Sequence, residues 1–248
     1  MRLHIISDLH LDYWSMPVPA LVEADVCLIA GDLHEGLGGL PFVLEIAKTK
    51  PVIFVAGNHE FYGSSLKIVR EQWRKASEQH ENVYFLDNST IEFDGVRFIG
   101  ATLWTDFNRG SPLSLMRGAG VTKDFLYIDN DDGDERITAQ FLYDEHQRSL
   151  AFIRGELERP YDGKTVVLSH HAPSKLSVPD VFKDDPNNFM FCSDLDYLMH
   201  YYDITLYTHG HMHTDSNYMI GDTPVIANPR GTSSFPNPDF DPFYVITI

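Results

Sequence analysis

The chain has 248 residues, 43% hydrophobic and 12% aromatic, enough to bury a sizeable core in one large domain or two small ones. Nineteen Lys and Arg against 36 Asp and Glu give a formal charge of −17, which repels a nucleic-acid backbone or an anionic membrane over most of the surface. Its apolar runs fall short of the ~18 residues of a membrane span, and "MRLHIISD" enters an apolar strand without room for a signal peptide, so a cytoplasmic protein is expected.

Short apolar runs, each closed by polar residues or Gly, begin the chain: "LHII" before Ser7-Asp8, "VCLIA" before Gly31-Asp32, and "PVIFVA" before Gly57-Asn58. The spacing of "GLPFVLEIAKTK" predicts a helix between the second and third, and "SSLKIVREQWRKASEQH" predicts another behind serines suited to capping it. Cys27 lies inside "VCLIA", far from Cys192, and both are expected to be buried free thiols. From "STIEFDGVRFIGATLW" onward, alternation and Asp94-Gly95 predict a hairpin, so the sheet must be mixed.

Residues 105–136 are the least regular stretch and include the acidic run "DNDDGDE". A calcium loop is excluded: with Gly133 at the sixth position, Ile128 stands first and Ala139 last, where acids are required, so a solvated loop is expected. "ITAQFLYDEHQRSLAFIRGELERP" predicts a long helix ending at Pro160, and "KTVVLS" a buried strand running into His170-His171. "DITLYTHGHMH", the hairpin "NYMIGDTPVIAN" and "FYVITI" complete an α/β pattern, with one domain expected over residues 1–248.

Polar residues gather at the strand ends: Asp8 and His10, Asp32, Asn58 and His59, His170 and His171, then His209, His211 and His213. Ligands of open α/β sheets bind at the carboxyl ends of strands, so these groups should share one rim. In extended chain, residues two apart project to one side, so Asp8 with His10, and His211 with His213, could each serve one centre. Gly31, Gly57 and Gly210 precede Asp32, Asn58 and His211, where a bare backbone permits close approach.

The ordered motifs "DLH" (Asp8, His10), "GD" (Gly31, Asp32), "GNHE" (Gly57 to Glu60), "SHHAP" (Ser169 to Pro173) and "GHMH" (Gly210 to His213) closely resemble those of the metallophosphoesterase, or calcineurin-like phosphoesterase, family. The resemblance spans nearly the whole chain. It implies two packed mixed sheets flanked by helices, a four-layer αββα sandwich, with two divalent ions at the strand ends. One ion would be held by Asp8, His10, Asp32 and His213, the other by Asp32, Asn58, His170 and His211. His59 would be catalytic without being a ligand, and Glu60 would orient a neighbour. His170 rather than His171 is the expected ligand, and His209 a structural histidine.

Mixed nitrogen and oxygen ligation suits manganese, iron or zinc over calcium. Such a pair of ions turns water into a hydroxide nucleophile for in-line displacement at phosphorus. The expected activity is therefore hydrolysis of a phosphomonoester or phosphodiester, small-molecule or phosphoprotein. A non-catalytic binding module on the same scaffold and a nuclease are the alternatives, the latter disfavoured by the acidic charge. Trp104 could stack on a substrate at the rim or fill the core, Arg230 could face a phosphate or sit in a solvent-facing turn, and Asp12 is expected to be a turn residue.

Overall fold

The computed structural model describes residues 1–133 and 135–248, and in it the apolar runs become strands that alternate with helices. The first part holds β1 (Arg2–Ile6), β2 (Val26–Ile29), α1 (Leu40–Ala47), β3 (Val52–Phe54), α2 (Leu66–Gln79) and β4 (Val83–Phe85). A hairpin of β5 (Ser89–Phe93) and β6 (Val96–Ala101) turns at Asp94-Gly95, as its sequence requires. Residues 105–136, irregular by sequence, hold a left-handed turn, α3 (Phe107–Gly110), and two short helices, α4 (Pro112–Gly118) and α5 (Asp124–Tyr127). Then come α6 (Ala139–Glu158), β7 (Lys164–Ser169), α7 (Asp196–Tyr201) and β8 (Leu206–Thr208). Strands β9 (Ser216–Ile220), β10 (Thr223–Ala227), β11 (Gly231–Thr232), β12 (Phe235–Pro236) and β13 (Val245–Thr247) finish the chain.

Capping sets where the two longest helices begin. Ser65 Oγ accepts from Ile68 N ahead of α2, and Thr138 Oγ1 accepts from Phe141 N ahead of α6. The acidic run contributes its own ties, with Asp131 Oδ1 accepting from Lys67 N at 3.0 Å. Asp134, in the same run, lies outside the described residues.

Two mixed sheets result, one in the order β13-β1-β2-β3-β4 and the other β5-β6-β7-β8-β10-β9. Leu3, Ile5, Val26 and Leu28 of the first meet Val96, Phe98, Val166 and Leu168 of the second between the layers. On the outer face of the first sheet, Cys27, Ile29 and Phe54 pack against Phe42, Val43 and Trp73 of the flanking helices. Ile99, Val167 and Tyr207 do the same against Ile153, Leu157 and Leu198 on the far side. The architecture is the expected αββα sandwich, and both cysteines are buried and free.

Strands β1, β2 and β3 run parallel, as do β6, β7 and β8, so their carboxyl ends open on common edges. The two sheets are stitched there by a bridge between Ser7 and Pro229 and by Asn228 Nδ2, which donates to Ile5 O at 2.7 Å.

Candidate metal centre

The chain leaves β1, β2 and β8 through left-handed turns, whereas Asn58 after β3 has a right-handed φ of −72°. Asp8, His10, Asp32, His211 and His213 have φ of 51°, 44°, 55°, 68° and 53°, a region that costs a non-glycine residue roughly 1–2 kcal/mol. These segments are therefore not extended, and alternation is not what brings Asp8 and His10 together. Nor do His211 and His213 serve one centre, because they fall into different groups. Backbone hydrogen bonds hold the strained turns against one another: Asp8 N donates to Gly31 O and His10 N to Asp32 O, both at 3.0 Å.

In the first group, donor atoms of Asp8, His10, Asp32 and His213 lie within 4.8 Å of one another, and in the second so do those of Asp32, His170 and His211. His10 Nε2 stands 3.1 Å from His213 Nε2 and 3.7 Å from Asp32 Oδ2. His213 Nε2 is 3.4 Å from Asp8 Oδ1. On the other side, His170 Nε2 is 3.4 Å from Asp32 Oδ1, 3.2 Å from His211 Nδ1 and 3.0 Å from Asn58 Oδ1. Asp32 thus turns one carboxylate oxygen to each group.

The chemistry of these donors calls for a cation. Ala30 O can only accept, so the 2.8 Å contact to His170 Nδ1 fixes the proton on that nitrogen and leaves a lone pair on Nε2. Burial lowers His170, which keeps the ring neutral. The amide of Asn58 is fixed as well, since its Nδ2 donates to Asp124 Oδ1 at 2.8 Å and its Oδ1 consequently faces inward. Two lone pairs, on His170 Nε2 and Asn58 Oδ1, therefore converge at 3.0 Å with no proton between them. A divalent ion resolves that contact. Burial also pushes His10 down to about 3, and it raises Asp32 well above the carboxylate range with help from the Glu60 and Asp8 carboxylates. Neutral imidazoles and crowded carboxylates are what a metal ion relieves.

Supporting groups surround the donors. Glu60, fully buried, accepts from the backbone N–H of Gly57 at 2.6 Å, Leu33 at 2.6 Å, Asp32 at 2.9 Å and His34 at 3.3 Å, tying the β2 turn to the β3 turn. A Cβ on Gly57 would strike Asp32 Oδ1, and one on Gly31 would strike His170 Nδ1, so both positions need the bare backbone. Asp124, buried at the start of α5, also accepts from Tyr62 OH at 2.9 Å and from Thr122 Oγ1 at 2.8 Å. No sequence signal marks Asp124, which lies in the irregular stretch 66 residues beyond Asn58.

His59 donates its backbone N–H to Asp32 Oδ1 at 2.9 Å, while its ring meets His10 edge-on at 4.5 Å and stacks on Tyr62 at 4.3 Å. That ring lines a cavity of roughly 390 Å³ whose floor includes Asp32, Asn58 and His211. His171 packs against His211 at 4.2 Å and approaches Thr102 O through Nδ1, and His209 is consumed by Ser177 Oγ and Gly210 O. Trp104 is a core residue, 1% exposed against Phe61 and His171, and does not reach the rim. Arg230 meets neither expectation: its guanidinium lies 3.7 Å over the Trp14 ring and donates to Leu9 O, Trp14 O and Ser15 O, which fastens the loop after β1. Asp12 lies in the turn of that loop.

Residues 1–215 match the family model described as calcineurin-like phosphoesterase. An uncharacterised protein, L509, of Acanthamoeba polyphaga mimivirus is 24% identical over 281 residues, spanning 99% of this chain and 96% of its own. Among solved structures, phosphopantetheinyl hydrolase (PptH) from Mycobacterium tuberculosis superposes with a TM-score of 0.70 at 17% identity, covering 94% of this chain and 90% of that one. At that identity the likeness is one of fold.

Two substitutions test the supports of the site. Asp124→Ala removes the acceptor that orients the Asn58 amide and leaves the Asn58, Tyr62 and Thr122 donors unpaired, so it should weaken manganese binding about tenfold to hundredfold and also lower the melting temperature. Gly57→Ala displaces the Asp32 carboxylate and should lower manganese affinity by at least about tenfold. Titration of the metal-free protein, followed by manganese electron paramagnetic resonance, measures both; unaltered affinity in either variant would contradict the geometry assigned to that support.

Proposed function

The chain belongs to the calcineurin-like phosphoesterase family, and on that premise we propose that it is a metal-dependent phosphoric ester hydrolase. Asp8, His10, Asp32 and His213 would hold one divalent ion and Asp32, Asn58, His170 and His211 a second, with manganese, iron or zinc as the candidate ions. The observation that carries this reading is the convergence of His170 Nε2 and Asn58 Oδ1 at 3.0 Å, each with its hydrogen-bonding partner already fixed on its other side.

Bound there, the ions supply Lewis acidity toward phosphoryl oxygens and lower the pKa of a water. The chain's own residues do the rest. Asp32 shares its charge between both halves of the site, and the Asn58 amide contributes an oxygen without adding a negative charge. His59, at the cavity wall beside His10, offers a ring N–H to a phosphoryl oxygen or to the departing oxygen, where a positioned donor is worth about 10² to 10⁴ in rate. Water loses one proton and the leaving alkoxide gains one, so ester and water give an alcohol and a phosphate of one fewer ester bond.

The formal net charge of −17 supports substrates other than nucleic acid. Every motif position is filled, which favours catalysis over a binding-only module.

With manganese added, the protein should hydrolyse bis(p-nitrophenyl) phosphate or p-nitrophenyl phosphate, and chelation should abolish the activity reversibly. A phosphopantetheinyl ester belongs in the same assay, because the Mycobacterium tuberculosis protein is named for that group. His59→Asn should retain full metal content, measured by elemental analysis, while kcat falls about 10² to 10⁴-fold. Turnover equal to that of the parent protein would remove His59 from the mechanism.

A further inference from the structure

The cavity above the metal donors is chemically lopsided. Its walls come from segments far apart in sequence: Val121 before α5, then Val178, Phe182 and Phe191 after β7, Met212 beside the donor histidines, and Phe235 on β12. Phe191 stacks on the His211 ring at 5.4 Å with the planes 28° apart, so the apolar wall reaches the donors themselves. Phe182 and Phe235 remain 43% and 60% exposed, and both line the cavity. Apolar side chains left uncovered around a catalytic cavity are positioned for a ligand rather than for the core.

Charge is scarce in the same place. Among the described residues Lys123 is the sole Lys or Arg in the lining, and Asp185 lines it too. Arg230, the remaining candidate near the rim, spends its guanidinium on three carbonyls and the Trp14 ring. A phosphoryl group in this site would be met first by the bound ions, and other anionic parts of a substrate by cationic side chains. The ions themselves would meet the phosphoryl charge, and beyond them no arginine fork among the described residues waits for a further anionic group, so the remaining space suits an uncharged second organic arm, which a phosphodiester carries and a monoester lacks.

Resting on the hydrolase reading above, we propose that the substrates are phosphodiesters bearing one uncharged, largely apolar arm seated between Phe182, Phe191, Met212 and Phe235. Hydrolysis forms a bond from water oxygen to phosphorus and breaks the bond to the leaving alkoxide. An alcohol and a phosphomonoester depart, the proton lost by water balancing the one gained by the alkoxide.

The test uses the 248-residue, manganese-loaded protein and four p-nitrophenyl esters sharing one leaving group: p-nitrophenyl phosphate and its methyl, hexyl and 5-carboxypentyl diesters. The hexyl diester should exceed the methyl diester by roughly tenfold to hundredfold in kcat/KM, chiefly through KM. The carboxypentyl diester should fall back toward the methyl one, and the monoester should be slowest. In the double variant Phe182→Ala, Phe235→Ala, whose side chains are exposed, the ratio of hexyl to methyl rates should approach one while manganese stoichiometry holds. A faster monoester, equal rates on the methyl and hexyl diesters, or an undiminished ratio in the variant would overturn the substrate class alone. No turnover of any ester by protein with manganese bound would sink the hydrolase reading, and the substrate class with it.

Discussion

One buried carboxylate, Asp32, faces two groups of imidazoles at once, and the surrounding chain is arranged around that demand. Its Oδ2 is 3.7 Å from His10 Nε2 and its Oδ1 is 3.4 Å from His170 Nε2. Glu60 grips its backbone N–H at 2.9 Å, and Gly57 leaves the space that its carboxylate fills. Burying Asp8, Asp32 and Glu60 within one small volume is costly unless positive charge compensates them. The imidazoles do not provide it, because burial keeps His10 and His170 neutral. The fold thus carries a deficit of positive charge that divalent cations would fill, and the four amides on Glu60 keep the carboxylates in fixed geometry.

Backbone strain follows from the same demand. A strand delivers its end to the rim but directs successive side chains to opposite faces. Reaching a common point within a few residues of the strand end requires reversal of the chain, and the left-handed values of φ at Asp8, His10, Asp32, His211 and His213 supply it. Such conformations persist only where the surroundings over-determine them. Here two stiff sheets and the bond from His211 N to Asp8 Oδ1 at 3.0 Å do so, linking turns more than two hundred positions apart. Rigidity of this kind holds donors in place before any ion arrives.

The sequence makes the strand ends legible because each apolar run stops at a Gly or a donor, and ordered repetition of that pattern points to one rim. Sheet pairing, the hairpins and the long helices follow from periodicity and turn residues. The reason Asp8 and His10 converge was not legible, since it lies in dihedral angles that spacing does not encode. Arg230 and Trp104 show a different limit: a side chain's partner is set by tertiary neighbours, the Trp14 ring for one and Phe61 with His171 for the other. Helix α7 and the short helices of residues 105–136 lack enough turns to display a period. Asp124 stayed hidden because a lone acid in an irregular stretch has no pattern to join.

That same stretch joins the geometry of the donor cluster to the cavity above it. Val121, Thr122 and Lys123 line the cavity, and the next residue, Asp124, holds the Asn58 amide. Thr122 does both, since its hydroxyl donates to Asp124 Oδ2 at 2.8 Å. Tyr62 extends the connection, stacking on His59 while bonding Asp124. A shift of this wall therefore moves an amide oxygen at the metal donors and the ring of the residue assigned to catalysis. Selectivity loops are usually free to vary because the scaffold fixes the chemistry independently. In this protein the loop carries part of the fixing, so replacing residues 121–124 to change the substrate would also disturb Asn58, and the two properties have to be altered together.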